Sequence, residues 1–499
     1  MPKKKQFNPS GFQMTEEQEK IVEHDYKKGE SVAVKAFAGT GKTTTLQLLS
    51  NALGVTNPKW KVLYLAFNKS IQEEAQKKFG KNVICRTTHS MAYGEQGKFY
   101  RHKLKPKVRL MSIVKELSLN GRDKWDIARN SWYTVCNFIA SGNKKIDINM
   151  VPSDAFQALR PKILKYASTI WRRMKDKDDR AMPMTHDGYL KLYQLSNPDI
   201  SKEYDMIMID EAQDSNPAVV ELVNGQRCSK VWIGDDHQSI YQFRGSSNAF
   251  KSITIDHEYY LSQSFRFGEN VAYVANALLR REKDEKIPLV GSGGEDELVK
   301  DIHDFNKYTI IHRTNSALFK NAVELLQSDK KFGIVGGVEN SGIDLIMDAY
   351  NVFCNNKSEI KDPFMKTFYD LDGMMAYAKQ AEDIEIMRLA LEVNKYKSDI
   401  PYLISEIKKA SVHVSKADVV LTTAHKSKGL EFDTVMMEND FFDYTKEGEP
   451  DYFPPKEEEI NLLYVALTRA QKSLILNESL QYVLDDYDEN FTEESKGAF

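Results

Sequence analysis

Two rhythms of apolar residues run along the chain. Short runs that are apolar almost throughout, "SVAVKAF" (31–37), "VLYLA" (62–66), "MIMI" (206–209) and "VWIG" (231–234), leave no polar face for solvent and predict buried strands. In "TTTLQLLSNAL", by contrast, Leu46, Leu48, Leu49 and Leu53 have helical spacing. The first run reaches this helix through a Gly-rich turn, so residues 31–53 predict strand, turn, helix. No run of 18 apolar residues occurs, so no membrane partner is expected.

With 499 residues, 41% of them hydrophobic, the chain exceeds what one core supports, and several domains are expected. Cys85, Cys136, Cys228 and Cys354 are too scattered for a zinc site or a disulfide framework and fit a reducing, intracellular setting. The opening "MPKKKQFNPSG" is basic without an apolar segment behind it; a solvated end and a nuclear signal are its two readings. The net charge of −3 conceals a contrast, because Gln96 to Met184 carries 20 Lys and Arg against 8 Asp and Glu. That segment is expected to meet anions, a solvated helical surface being the alternative. At the other extreme, Asn477 to Phe499 is acid-rich, and "DDYDENFTEES" reads as disordered solvating sequence.

The turn between the first strand and helix holds the most specific chemistry. Ala38, Gly39, Thr40, Gly41, Lys42, Thr43 and Thr44 form a phosphate-binding loop, although Ala36 stands where such loops usually begin with Gly. Gly39 and Gly41 let backbone N–H groups converge on phosphate oxygens at the positive end of the helix. Lys42 is expected to neutralise the β and γ phosphates of ATP, and Thr43 to offer its hydroxyl to Mg²⁺. "YDMIMIDEAQD" supplies the matching element: its strand delivers Asp210 to the Mg²⁺ and Glu211 to an attacking water.

Together with these, "VWIGDDHQSIYQFRGS", "LSQSFRF", "LTTAHKSKGLEFD" and "EEINLLYVALTRA" resemble the UvrD-like superfamily 1A helicases in order and spacing. "LYLAFNKSIQEEA", "CRTTHSMAY" and "THDGYLKLYQL" are most similar in wording to the branch that includes the F-box helicase, with no F-box segment expected before the core. The resemblance implies an α/β fold of two RecA-like P-loop motor domains with parallel sheets. Residues 1–95 and 185–256 would form the first, interrupted by a basic helical insert at 96–184. Residues 257–345 and 411–499 would form the second, interrupted by a reduced helical insert at 346–410.

The same resemblance implies roles at individual positions. Gln18 matches the adenine-reading glutamine, while Thr15 with Gln18 also spells a helix capping box. Gln238 would contact the γ phosphate, Phe265 would stack on the nucleotide in place of a Tyr, and Glu431 would link nucleotide state to the strand. Arg266 and Arg469 match the two arginines that reach the γ phosphate, an ordinary ion-pair arginine being the alternative for each. Phe67, His89, Tyr241 and Phe243 offer faces to bases, with a core role the alternative for Phe67; Asn68, Arg313, Asn315, Thr423 and His425 would meet the DNA backbone. Phe243 and Ser246 stand where Trp and Ala are frequent in the family.

The function so implied is an ATP-dependent DNA helicase that moves 3′ to 5′ on single-stranded DNA by hydrolysing ATP between two domains. Its expected setting is repair, recombination or replication, in the cytoplasm (nucleoid) of a bacterial or phage system or in a eukaryotic nucleus. Its expected partners are single strands, single/double-strand junctions, and single-strand-binding or recombinase proteins, with the monomer as the active form. Two alternatives stay open: a DNA-stimulated ATPase that strips proteins or remodels recombination filaments with little unwinding, and a P-loop phosphotransferase.

Overall fold

The computed structural model describes residues 13–153, 155–240, 248–303, 305–362, 364–381, 383–449 and 452–490. Tyr241, Phe243 and Ser246 lie outside them. The chain divides into two compact units, Met1–Leu261 and Ser262–Phe499.

The first unit is built on six parallel strands: β1 (Ser31–Ala36), β2 (Val62–Ala66), β3 (Val83–Thr87), β4 (Met206–Ile209), β5 (Ser229–Gly234) and β6 (His257–Leu261). Their order is β3-β2-β4-β5-β1-β6. The unbroken apolar runs are explained by what covers each face. Val32, Val34, Val62, Tyr64, Met206, Met208, Val231 and Ile233 alternate onto one side, against Leu46, Leu49 and Leu53 of the helix Lys42–Thr56. The intervening Ala33, Leu63, Leu65, Ile207, Ile209 and Trp232 enter a second core. That core continues into the basic insert, where the helices Lys124–Ala140 and Arg160–Lys175 contribute Val135, Phe138, Ile170 and Trp171. The insert is therefore mostly helical and shares its core with the sheet.

The second unit repeats the plan. A two-stranded piece, β7 (Gln263–Ser264) with β8 (Val290–Gly291), precedes the main strands β9 (Glu297–Val299), β10 (Tyr308–His312), β11 (Phe332–Ile334), β12 (Val419–Thr423), β13 (Phe432–Met437) and β14 (Ala470–Ile475). These six are parallel, in the order β11-β12-β10-β13-β14-β9. The helix Glu457–Leu467 is buried at every position from Ile460 onward. Among the described residues, four α-helices, Ile343–Phe353, Leu371–Ala381, Ile384–Tyr396 and Ile400–Ala410, stand between β11 and β12 in the stretch expected to be a short helical insert.

One expectation is corrected. The helix Glu478–Asn490 takes in residues 485–490 of the "DDYDENFTEES" read as disordered, while residues 491–495 lie outside the described residues. Leu480, Val483, Leu484 and Tyr487 fall on one stripe and are buried, which orders the segment despite its charge.

Candidate nucleotide and nucleic-acid sites

In a parallel sheet every strand ends at the same edge, so the segments after β1, β2, β4 and β5 emerge side by side. After β1 the chain turns through Gly39 at φ 77° and Gly41 at φ 76°, left-handed conformations that favour glycine. Gly41 is the N-cap of the helix Lys42–Thr56, and no side chain caps that end. The Thr40 hydroxyl and Lys42 Nζ both donate to the Phe37 carbonyl, at 2.9 and 3.2 Å. Ala38 is buried, whereas Thr44 is exposed. The Thr43 hydroxyl donates to Asp210 Oδ2 at 3.3 Å, joining residues 167 positions apart.

Asp210, immediately after β4, is buried. Burial, and then the charge of Glu211, push its carboxyl above the usual range, while a hydrogen bond from Tyr64, the Lys42 ammonium and the Glu211 N–H oppose the shift. Glu211 sits at φ 51°, ψ 47°, a left-handed conformation uncommon for a residue with a side chain. A chain of hydrogen bonds runs from it. Gln213 Nε2 donates to Glu211 Oε2 at 2.5 Å, Gln213 Oε1 accepts from the Asp235 N–H at 3.0 Å, and Asp235 Oδ2 accepts from Gln238 Nε2 at 2.8 Å. Gly234 is required beside it: a Cβ there would stand 2.2 Å from Gln213 Oε1.

Gln18 is buried. Its N–H donates to Thr15 Oγ1 and its Oε1 accepts from the Thr15 N–H, a complete capping box. Its Nε2 also donates to Thr45 Oγ1 at 3.2 Å in the phosphate-loop helix. A carboxamide has two N–H groups and two oxygen lone pairs, which leaves one of each for a purine edge.

Beyond β2, Phe67 is 37% exposed, so it does not belong to the core. Asn68 caps the helix Lys69–Lys78 through its Oδ1, which accepts from the Ile71 N–H at 2.9 Å. His89 Nε2 lies 3.0 Å from Asp187 Oδ1. Phe67 and His89 line a cavity of about 80 Å³ together with Asp210, Asp214 and Asn216.

The second unit gathers Arg266, Glu431 and Arg469. Arg266 Nε pairs with Glu431 Oε1 at 2.8 Å, and its Nη1 donates to the Thr468 carbonyl at 3.0 Å. The second oxygen of Glu431 accepts from Gln471 Nε2 at 3.0 Å. Arg469 is only 1% exposed, with its guanidinium donating to the Val465 and Leu430 carbonyls and to Thr468 Oγ1. Phe265 presents an exposed ring.

Elsewhere in this unit the positions expected to meet DNA differ in their engagement. Arg313 makes a two-pronged ion pair with Glu459, at 2.9 and 2.7 Å. Asn315 opens the helix Asn315–Leu325 and is exposed. Thr423 is buried at the end of β12, and His425 is half-buried in the short helix that follows.

Three residues of the first site went unread in the sequence: Tyr64, Gln213 and Asp235. Tyr64 had a visible sign, a lone hydroxyl in an otherwise aliphatic strand. The other two sit in "DEAQD" and "GDDHQ", where polar residues follow directly on buried strands.

Residues 14–253 match the UvrD/REP helicase N-terminal domain and residues 296–481 the UvrD-like helicase C-terminal domain. The chain is 34% identical to F-box DNA helicase 1 of Gallus gallus over 518 aligned residues, covering 97% of this chain and 51% of the relative. It is 32% identical to F-box DNA helicase protein 1 of Schizosaccharomyces pombe, covering 95% of this chain and 58% of that one. A probable DNA helicase II homolog of Mycoplasma genitalium is 23% identical over 391 residues, 56% of this chain and 55% of the relative. The chain thus spans about half the length of the curated relatives it matches.

Proposed function

The chain belongs to the UvrD-like helicase family, and from that premise we propose that it is an ATP-dependent DNA helicase that translocates 3′ to 5′ on single-stranded DNA. The observation that carries the proposal is the double position of Asp210. Its carboxylate accepts from Thr43 of the phosphate loop, and it lines the same cavity as Phe67 and His89. A change at the nucleotide is thereby brought next to residues suited to meet bases.

The donor set fits ATP with Mg²⁺: an uncapped helix start, one lysine, and a hydroxyl beside a carboxylate. Mg²⁺, when bound, neutralises phosphate charge. Lys42 would hold the β and γ phosphates, Thr43 and Asp210 would hold the metal, and Glu211 would accept a proton from the attacking water. Gln238 reads the γ phosphate and passes its state along the chain to Glu211. Arg266 and Arg469 stabilise the charge that develops in phosphoryl transfer. Gln18 and Phe265 serve the adenine, and Glu431 sets the direction of Arg266. Single strands contact Phe67, Asn68, His89, Tyr241, Phe243, Asn315, Thr423 and His425, while Arg313 supports that surface through Glu459.

ATP turnover measured with and without single-stranded DNA, then on substrates with 3′ or 5′ tails, tests the proposal. Stimulation by single strands and preference for 3′ tails are expected. Turnover indifferent to DNA would overturn it in favour of a phosphotransferase. The small second insert favours one further reading, displacement of bound proteins with little unwinding, which a displacement assay beside strand separation distinguishes.

A further inference from the structure

At the edge of the first sheet opposite the phosphate loop, three potential ligands converge. Glu30 immediately precedes β1, His257 is the first residue of β6, and His24 follows the helix Glu16–Val22. Because β1 and β6 are parallel neighbours with Val32 opposite His257, their beginnings share this edge. His24 Nε2 lies 3.2 Å from Glu30 Oε2, and His257 Nε2 lies 3.0 Å from Glu30 Oε1. One ligand atom from each of the three residues lies within 4.8 Å of the others.

We propose that His24, Glu30 and His257 form a site for a divalent transition metal, with Zn²⁺ the best suited. Two imidazole nitrogens and one carboxylate are the donor set that Zn²⁺ accepts and that Mg²⁺ and Ca²⁺, which prefer oxygen throughout, do not. Ligand distances of about 2.0–2.2 Å in a tetrahedral site place donor atoms about 3.3 Å apart. Each histidine nitrogen already lies near that value from one of the two Glu30 oxygens, His24 from Oε2 and His257 from Oε1.

The surroundings hold the ligands as a metal site requires. His24 Nδ1 is 2.8 Å from the Tyr259 hydroxyl, which fixes the ring through its second nitrogen. The Tyr26 ring packs edge-on against His24, with centroids 4.6 Å apart. Glu30 Oε2 accepts from the Lys27 N–H at 2.9 Å. The side chains of His24 and Glu30 are 11% and 10% exposed, whereas that of His257 is 50% exposed. Two ligands are thus prearranged inside and the third stands at the mouth, with a fourth position left for water. The metal would tie the segment after the helix Glu16–Val22 to the strand with which the first unit ends.

The test uses the full, untagged chain after dialysis against a chelator, titrated with Co²⁺ as a spectroscopic probe and then with Zn²⁺. One equivalent of Co²⁺ giving the visible band of a four-coordinate site, displaced by Zn²⁺, is expected, as is a Zn²⁺-dependent rise in melting temperature. His257→Gln, at a half-exposed position that the fold tolerates, should lose the band and the rise while melting as the metal-free wild type does. Tyr259→Phe should weaken binding ~10-fold, as loss of an outer-shell partner does. Cys354→Ser, removing the exposed thiol, should bind as the wild type. No stoichiometric band in the wild type, or an undiminished one in His257→Gln, would overturn the proposal.

Discussion

The Tyr64 hydroxyl donates to Asp210 Oδ2 at 2.5 Å, from the middle of a strand in which every residue is buried. The same oxygen receives Thr43, so the phenol and the phosphate loop jointly orient one carboxylate. Burial favours the protonated carboxyl, and Tyr64 is the first of the groups that oppose it. Tyr64→Phe keeps the packing and removes only the hydroxyl. A hydrogen bond to a charged group contributes about 1.5–3 kcal/mol. Half-saturation by Mg²⁺ in an ATPase titration should therefore move upward ~10-fold or more, and the melting temperature should fall by several degrees. An unchanged Mg²⁺ dependence would leave Tyr64 a packing residue.

Lys42→Ala should abolish ATP turnover and spare DNA binding in the absence of nucleotide. Its ammonium lies 3.2 Å from the Phe37 carbonyl at the loop itself, and loss of transition-state charge stabilisation typically costs ~10² or more in rate. Turnover within about threefold of wild type would defeat the assignment.

The two arginines should part company on stability. Arg266→Ala is expected to cut turnover ~10³-fold or more with a modest change in melting, because its partner Glu431 faces solvent. Arg469→Ala should cut turnover and also destabilise the chain, since a side chain only 1% exposed is removed together with its hydrogen bonds to the Val465 and Leu430 carbonyls. Large-to-small changes at buried positions typically cost about 2–5 kcal/mol. Thermal melting beside ATPase assays decides, and an Arg469→Ala chain that melts like wild type would contradict the argument.

Phe67→Ala should leave basal ATPase activity nearly unchanged and weaken its stimulation by single strands. The ring is 37% exposed, so its removal costs little core, whereas each lost base stack costs ~1–3 kcal/mol. Oligonucleotide titration of ATPase activity would show a raised half-saturation; undiminished affinity would remove Phe67 from the DNA surface.

The basic insert should carry an acid-sensitive ion pair. Hydrogen bonding from Arg173 holds the Asp179 carboxyl down at about 2, well below its unfolded value. A group depressed on folding contributes stability above the unfolded pKa and loses it as pH falls through the folded one, so the window runs from about 4 down to about 2. At neutral pH the contribution is of order 1–2 kcal/mol. Asp179→Asn should lower the denaturation midpoint at pH 7, and the gap from wild type should close toward pH 2; a pH-independent gap would point to packing instead.

The sequence by itself determined whatever depends on neighbours along the chain. The apolar runs of β1, β2, β4 and β5 marked strands covered on both faces, and the glycines with Lys42 and Thr43 stated their chemistry within one turn. Family-wide motif order then carried the two-unit α/β plan. Composition misled at residues 485–490, where acidic side chains concealed that Tyr487 continues the buried stripe of Leu480, Val483 and Leu484. Tertiary structure alone decided which distant groups meet: Tyr64 with Asp210, Arg313 with Glu459, and His24 with Glu30 and His257. Strand order brings those residues together, and it is set by how whole faces of helices and strands bury one another. A contact 146 or 227 residues long, such as Tyr64 to Asp210 or His257 to Glu30, leaves no local periodicity to read, because the free energy that selects it belongs to the packed sheet and not to either segment.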